Sequence, residues 1–126
     1  MTGSQSVLVC DDDDLLVELL HFRLTARGYS VRIARDGREA VESARKARPD
    51  AVVLDAMMPV IDGYEVLRQL KETPQTRDVP VIMLTARKGE RDILEALKLG
   101  ASDYLAKPFI PEELTARLTR LLPQSA

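Results

Sequence analysis

The stretch VLVCDDDDLL sets four adjacent aspartates, Asp11 to Asp14, between an apolar run and a leucine-rich one. Like charges crowded together repel: at an effective dielectric near 20, each pair about 4 Å apart costs roughly 4 kcal/mol. A solvated face is the ordinary explanation of a charge run, but the position argues against it. Val7, Leu8, Val9 and Cys10 read as a short buried strand, and Leu15, Leu16, Leu19, Leu20 and Leu24 recur at helical spacing. The aspartates therefore fill a strand-to-helix turn, and in open α/β sheets ligands bind at such turns, at the carboxyl ends of strands.

Three more polar residues end apolar runs in the same way. Asp55 closes AVVLD, Thr85 closes VPVIMLT, and Lys107 closes SDYLAK just before Pro108. A parallel sheet brings these ends together, gathering Asp11, Asp12 and Asp55 with Thr85 and Lys107 on the other side. Three carboxylates need a counter-ion. Mg²⁺ suits them, because it sits on one or two carboxylates and keeps waters at its remaining octahedral positions; Mn²⁺ could substitute. One such ion and the Lys107 ammonium balance the three charges. The balanced site then suits a phosphoryl group, whose oxygens the metal, the lysine and the Thr85 hydroxyl could hold. A carboxylate can act as nucleophile and form an acyl phosphate, and phosphoryl transfer needs mainly positioning and charge neutralisation. Asp55, on the central strand, is the candidate nucleophile. Asp14 reads as the N-cap of the first helix, and Asp13 as either solvent-exposed or in the outer shell of the site.

The elements that must position these residues alternate strictly. After the first strand and helix, Gly28 suits a helix end and Val31 and Ile33 alternate as a strand. Then DGREAVESARKARPD places Ala40, Val41, Ala44 and Ala47 on one narrow helical face that Pro49 stops, and AVVLD reads as a strand buried on both faces. GYEVLRQLKE, RKGERDILEALKLG and PEELTARLTRLL read as helices around the strands VPVIMLT and SDYLAK. The five βα units predict a doubly wound parallel α/β sheet, because parallel strands need right-handed crossovers that put helices on both faces.

Composition narrows the class. A length of 126 residues fits one domain over 1–126, and 45% hydrophobic with 30% charged residues offers no case for disorder. A net charge of −2 leaves no basic stripe for phosphate backbones, so direct nucleic-acid binding is not expected. Cys10 is the only cysteine and reads as a small core residue, which suits a reducing cytoplasm. No apolar run reaches membrane-spanning length, and the polar ends MTGSQS and PQSA read as frayed termini. The sole histidine, His21, reads as a surface residue; Met57 and Met58, without cysteine or histidine beside them, read as packing.

Together, VLVCDDDD, DAVVLDAMMPVIDGYEVL, VPVIMLTA and GASDYLAKPF resemble, in this order and spacing, the receiver domain of two-component response regulators, the CheY-like fold, from about Ser6 to Leu122. The resemblance implies strand order 2-1-3-4-5. It implies that Asp55 takes a phosphoryl group from a phosphohistidine of a sensor histidine kinase or histidine phosphotransfer protein. Asp12 would bind Mg²⁺ directly, Asp11 through water, and Met57 by its backbone carbonyl. Lys107 would contact the phosphoryl group, and the Lys107–Pro108 bond would be cis. Thr85 and Tyr104 match the family's switch pair, read out on the fourth helix, fifth strand and fifth helix by an effector or a fused output domain. On this reading the chain is no enzyme beyond promoting its own phosphotransfer and autodephosphorylation.

Two departures stand out. Glu113, Arg117 and Arg120 fit the charge pattern of dimerising receivers, but Ile93, Lys98 and Ser102 stand where charges are usual; Ile93 and Leu99, if exposed, would form an apolar patch instead. Met57 and Arg87, each two residues past a site residue, lie at the mouth of the site, and the apolar Met57 predicts slow loss of the phosphoryl group. Among rivals, a magnesium phosphatase of the haloacid-dehalogenase kind wants an aspartate where Met57 stands. A flavin or nucleotide carrier wants a glycine-rich loop after the first strand.

Overall fold

The structure, a computed structural model, describes residues 5–86 and 90–122. Arg87 and most of the polar chain ends lie outside the described residues. Five strands, β1 (Ser6–Cys10), β2 (Ser30–Ala34), β3 (Ala51–Asp55), β4 (Val81–Thr85) and β5 (Asp103–Ala106), alternate with α1 (Asp14–Ala26), α2 (Gly37–Lys46), α3 (Gly63–Glu72), α4 (Glu90–Lys98) and α5 (Pro111–Leu121). All pairings are parallel, in the order β2-β1-β3-β4-β5. The predicted doubly wound α/β sheet is the observed one.

The sheet separates two apolar layers because strand side chains alternate between faces. Leu8, Cys10, Val52, Leu54, Val81 and Met83 face α2 and α3, while Val7, Val9, Val53, Ile82 and Leu84 face α1 and α5. β3 and β4 are buried at every residue, as strands covered on both sides must be. Each fully buried leucine contributes about 1.5–3 kcal/mol, so Leu54→Ala would cost roughly 2–5 kcal/mol. Burial also pushes the Cys10 thiol up, with the charge of Asp11 adding to it, which keeps it a core hydrophobe.

The helices differ from the sequence-based expectation at two places. α1 buries Val17, Leu20 and Leu24, with Leu16 partly covered, whereas Leu15 and Leu19 are exposed at 80% and 40%. The run is apolar around most of the helix, so spacing alone could not fix which stripe turns inward. α2 ends at Lys46; Ala47 is its exposed C-cap, with extended φ −149° and ψ 110°, and does not join the buried face of Ala40, Val41 and Ala44. Helix ends follow known chemistry: Gly28 (φ 95°) lets Tyr29 N–H reach back to the Leu24 carbonyl at 3.1 Å while its own N–H reaches Thr25 at 2.9 Å. The Lys107–Pro108 bond is cis, as the resemblance implied. No described helix is long and apolar enough to cross a membrane.

Candidate functional site

Register brings the acidic residues together. Cys10 pairs with Leu54, so Asp11, the next residue, stands level with Asp55, the last of β3. Asp11 N–H donates to the Ala34 carbonyl at 3.0 Å, fixing the turn against β2. Asp11 and Asp55 are buried and Asp12 is exposed; each offers a carboxylate oxygen, and these oxygens all lie within 4.8 Å of one another. Each buried carboxylate also accepts a backbone N–H from two residues on, Asp13 to Asp11 at 3.0 Å and Met57 to Asp55 at 3.4 Å.

Lys107 supplies the countercharge. Its N–H donates to the Thr85 carbonyl at 2.8 Å, which sets the end of β5 beside the end of β4. Its Nζ donates to Asp11 Oδ2 at 2.8 Å and stands 3.4 Å from Asp55 Oδ1. One ammonium between two buried carboxylates leaves the site short of positive charge. Accordingly the Asp55 carboxyl is pushed up to about 6, by burial first and the Asp11 charge second, with Lys107 and the Met57 N–H opposing. Burial pulls Lys107 down, but the hydrogen bond and charge of Asp11, then Asp55, carry it above its usual range. Converging all-oxygen donors with excess negative charge fit a hard divalent cation.

Thr85 ends β4 fully buried, and Tyr104, in register with Met83, projects on the same face of the sheet as Thr85 and is partly buried. Burial and then the Asp92 charge raise its phenol. Beside Lys107 a cleft of about 430 Å³ is lined by Leu16, Ala86, Pro108, Phe109, Asp13 and Lys107. A larger groove of about 630 Å³, between α1 and β2, holds the exposed His21 and none of the site residues.

The cap assignment needs correcting. Asp13, with extended φ −81° and ψ 108°, accepts from Leu15 N–H at 3.1 Å and Leu16 N–H at 3.2 Å, so Asp13 is the N-cap of α1. Asp14 is the first helical residue, exposed and paired with Arg35. A cap oxygen must reach the second or third helical amide, and from Asp13 those are Leu15 and Leu16. Similarly Asp62 caps α3 by accepting from Glu65 N–H at 2.9 Å. Sequence reasoning passed over Gly37 and Gly63, whose contacts with the 56–62 loop are close; glycine beside a capping aspartate was the available signal. The condition for an apolar patch of Ile93 and Leu99 is not met: Leu99 packs on the core and Ile93 is partly buried, while Leu94 and Leu97 are exposed.

A five-stranded doubly wound sheet with a lysine-countered acidic cleft at its carboxyl edge defines the class of open α/β domains that bind ligands at the carboxyl ends of their strands. Within that class the comparisons are specific: the response regulator receiver domain model matches residues 7–119. The chain belongs to the response regulator receiver domains, a family of two-component signalling in which phosphorylation falls on an aspartate. It is 51% identical over 116 residues, 92% of its length, to the response regulator MprA of Mycolicibacterium vanbaalenii, of which it covers 49%. To the alkaline phosphatase synthesis transcriptional regulatory protein PhoP of Bacillus subtilis it is 43% identical, covering 97% of this chain and 50% of that one. The chain thus spans about half the length of these curated relatives. Among solved structures, chemotaxis response regulator CheY4 of Vibrio cholerae superposes with a TM-score of 0.90 at 36% identity, over 95% of this chain and all of that one. The receiver domain of sensor histidine kinase PA1611 from Pseudomonas aeruginosa, with magnesium coordinated in its active site cleft, gives 0.85 at 37%, over 94% and 98%.

Proposed function

We propose that Asp55 is the phosphoacceptor of this receiver domain, and that the described residues form one unit within a single domain over 1–126. The observation that carries the reading is the convergence of Asp11, Asp12 and Asp55 oxygens within 4.8 Å of one another, with the Lys107 ammonium against Asp11 and Asp55. Asp12, Asp11 through water, Asp55 and the Met57 carbonyl would hold Mg²⁺ or Mn²⁺; when bound, the ion supplies charge neutralisation for the transferring phosphoryl oxygens. An Asp55 oxygen attacks phosphorus, the bond to the donor phosphohistidine nitrogen breaks, and that nitrogen keeps the electron pair. Lys107 and the Thr85 hydroxyl hold the transferred oxygens. The donor is a sensor histidine kinase or a histidine phosphotransfer protein, and the chain catalyses nothing beyond its own phosphorylation and autodephosphorylation.

Thr85 moving toward the phosphoryl group, and Tyr104 turning inward behind it, would alter the α4-β5-α5 surface, where an effector or a fused output domain reads the state in the cytoplasm. Arg117 supports this face internally, donating to Asp103 at 2.7 Å and Glu113 at 3.1 Å; Leu94 and Leu97 are its exposed apolar residues on α4. The test is intact mass after incubation with a small phosphodonor and Mg²⁺. One phosphoryl group is expected on the wild type and none on Asp55→Asn; repeated turnover of a phosphomonoester, or an adduct that persists in Asp55→Asn, would refute the reading.

A further inference from the structure

The connection from β3 to α3, residues 56–62, leaves Asp55 and returns to it. Gly63 N–H donates to the Ala56 carbonyl at 2.9 Å, and a Cβ on Gly63 would stand 2.2 Å from the Asp55 carbonyl oxygen. The returning backbone therefore packs directly on the backbone of Asp55. At the far end of the loop, Ile61 N–H donates to the Pro59 carbonyl at 2.9 Å across Val60, whose φ is 74°. That is a γ-turn of the positive-φ form, which is rare and strained. For a β-branched residue such a φ is an outlier that surrounding structure must enforce.

Packing of the Val60 side chain does not enforce it, because Val60 is 66% exposed. α2 does. The buried Gly37 donates its N–H to the same Pro59 carbonyl at 3.2 Å, and a Cβ there would lie 2.0 Å from Ile61 O and 2.7 Å from Ile61 Cβ. Gly37 has no positive φ, so close approach alone demands glycine. Between the two anchors the short stretch Ala56–Pro59 has little slack: Met58 is buried in the core layer of α2 and α3, and Met57 N–H is aimed at Asp55 Oδ1.

We propose that Gly37 and Val60, both outside the acidic pocket, are positioning residues for it: α2 presses through Gly37 on a strained γ-turn, and the turn fixes the Met57 backbone against Asp55. The inference rests on the assignment of Asp55 and the Met57 carbonyl made above. A role in stability alone moves melting temperature and ligand affinity together; this one separates them. In Val60→Gly, relief of the positive φ outweighs the glycine's added freedom when unfolded, so the protein melts higher. The same release weakens Mg²⁺ binding by roughly tenfold, the scale on which outer supports of metal sites act.

The experiment titrates Mg²⁺ calorimetrically into the full chain as wild type, Val60→Gly and Gly37→Ala, with melting temperatures and the metal-free Met57 amide shift recorded alongside. Gly37→Ala should weaken Mg²⁺ binding further and melt lower, and both variants should move the Met57 amide. Unchanged Mg²⁺ affinity in Val60→Gly overturns the inference, as does a lower melting temperature, which would show that no strain was stored. A wild type that binds no Mg²⁺ removes the functional reading and this inference together; a binding wild type with an unaffected Val60→Gly removes this inference alone.

Discussion

The two walls of the acidic pocket are built differently. On the β3–α3 side the loop past Asp55 contributes backbone: the Met57 N–H, and on the proposed reading its carbonyl, on a loop packed by Gly63 against Asp55 and by Gly37 against Ile61, with Asp62 capping the next helix. On the β4–β5 side the contribution is a side chain on rotatable bonds, Lys107, which spans two carboxylates at unequal distances of 2.8 and 3.4 Å, joined on the proposed reading by Thr85 and Tyr104. Backbone pinned by packing sets a geometry and keeps it, since interiors are close-packed and tolerate little displacement. Side chains can exchange partners. The proposed switch needs both, a fixed frame in which charge is placed and a movable set that responds to it.

The largest effect should come from the movable wall, because it carries the only cation at the site among the described residues. Lys107→Met should slow phosphorylation by a small phosphodonor by about 10²–10³-fold, the usual cost of removing one preorganised electrostatic contact. It should also lower the metal-free unfolding free energy in urea by about 2–3 kcal/mol, since buried Asp11 and Asp55 lose their partner. A rate loss smaller than that of Val60→Gly would invert the comparison, with the fixed frame then contributing more to phosphorylation than the cation does.

Next in size is a side chain that the fixed wall carries but does not bury. Met57, two residues past Asp55, is 51% exposed; on the proposed reading its apolar side chain shields a phosphoryl group from water. Met57→Asn should speed loss of the phosphoryl group several-fold, followed by intact mass over time. An unchanged rate would mean that the loop contributes only through its backbone.

How much of this was legible in the sequence follows the same division. Side chains that carry chemistry announce themselves at strand ends, so Asp11, Asp12, Asp55, Thr85 and Lys107 could be placed on one sheet edge from the alternation of apolar runs alone. The sheet followed too, because β3 and β4 are apolar throughout and strands buried on both faces look like nothing else of that length. What stayed hidden depends on packing. The facing of α1 is decided by Val17, Leu20 and Leu24 meeting the sheet, and a helix apolar on most sides does not reveal that choice. That the cap is Asp13 and not Asp14 stayed hidden because adjacent aspartates offer identical chemistry one residue apart. Gly37 starts α2, and its near-contact with Ile61 is a meeting of segments far apart in the chain, which no local pattern shows.

The smallest expected effect tests where the rigidity of the fixed wall comes from. The exposed face of α3 carries an ion-pair set in which Arg68 pairs with Glu65 and Glu72. If that set held the helix, and through it the loop, Arg68→Ala should loosen the pocket. Exposed pairs contribute little, and Gly63 and Asp62 already anchor the start of α3, so Arg68→Ala should leave Mg²⁺ affinity and neutral-pH stability nearly unchanged. Its trace should be a small deficit at neutral pH that disappears in acid. Hydrogen bonds from Arg68, then Gln69, hold the Glu65 carboxyl down at about 2. A depressed carboxyl stabilises the fold above its unfolded value and loses that contribution as pH falls toward the folded one. Wild type and variant should therefore differ by a small, constant amount at neutral pH and converge between about 4.5 and about 2 in pH-dependent urea melts. A clear loss of Mg²⁺ affinity in Arg68→Ala would move the source of rigidity from the glycine contacts to the helix surface.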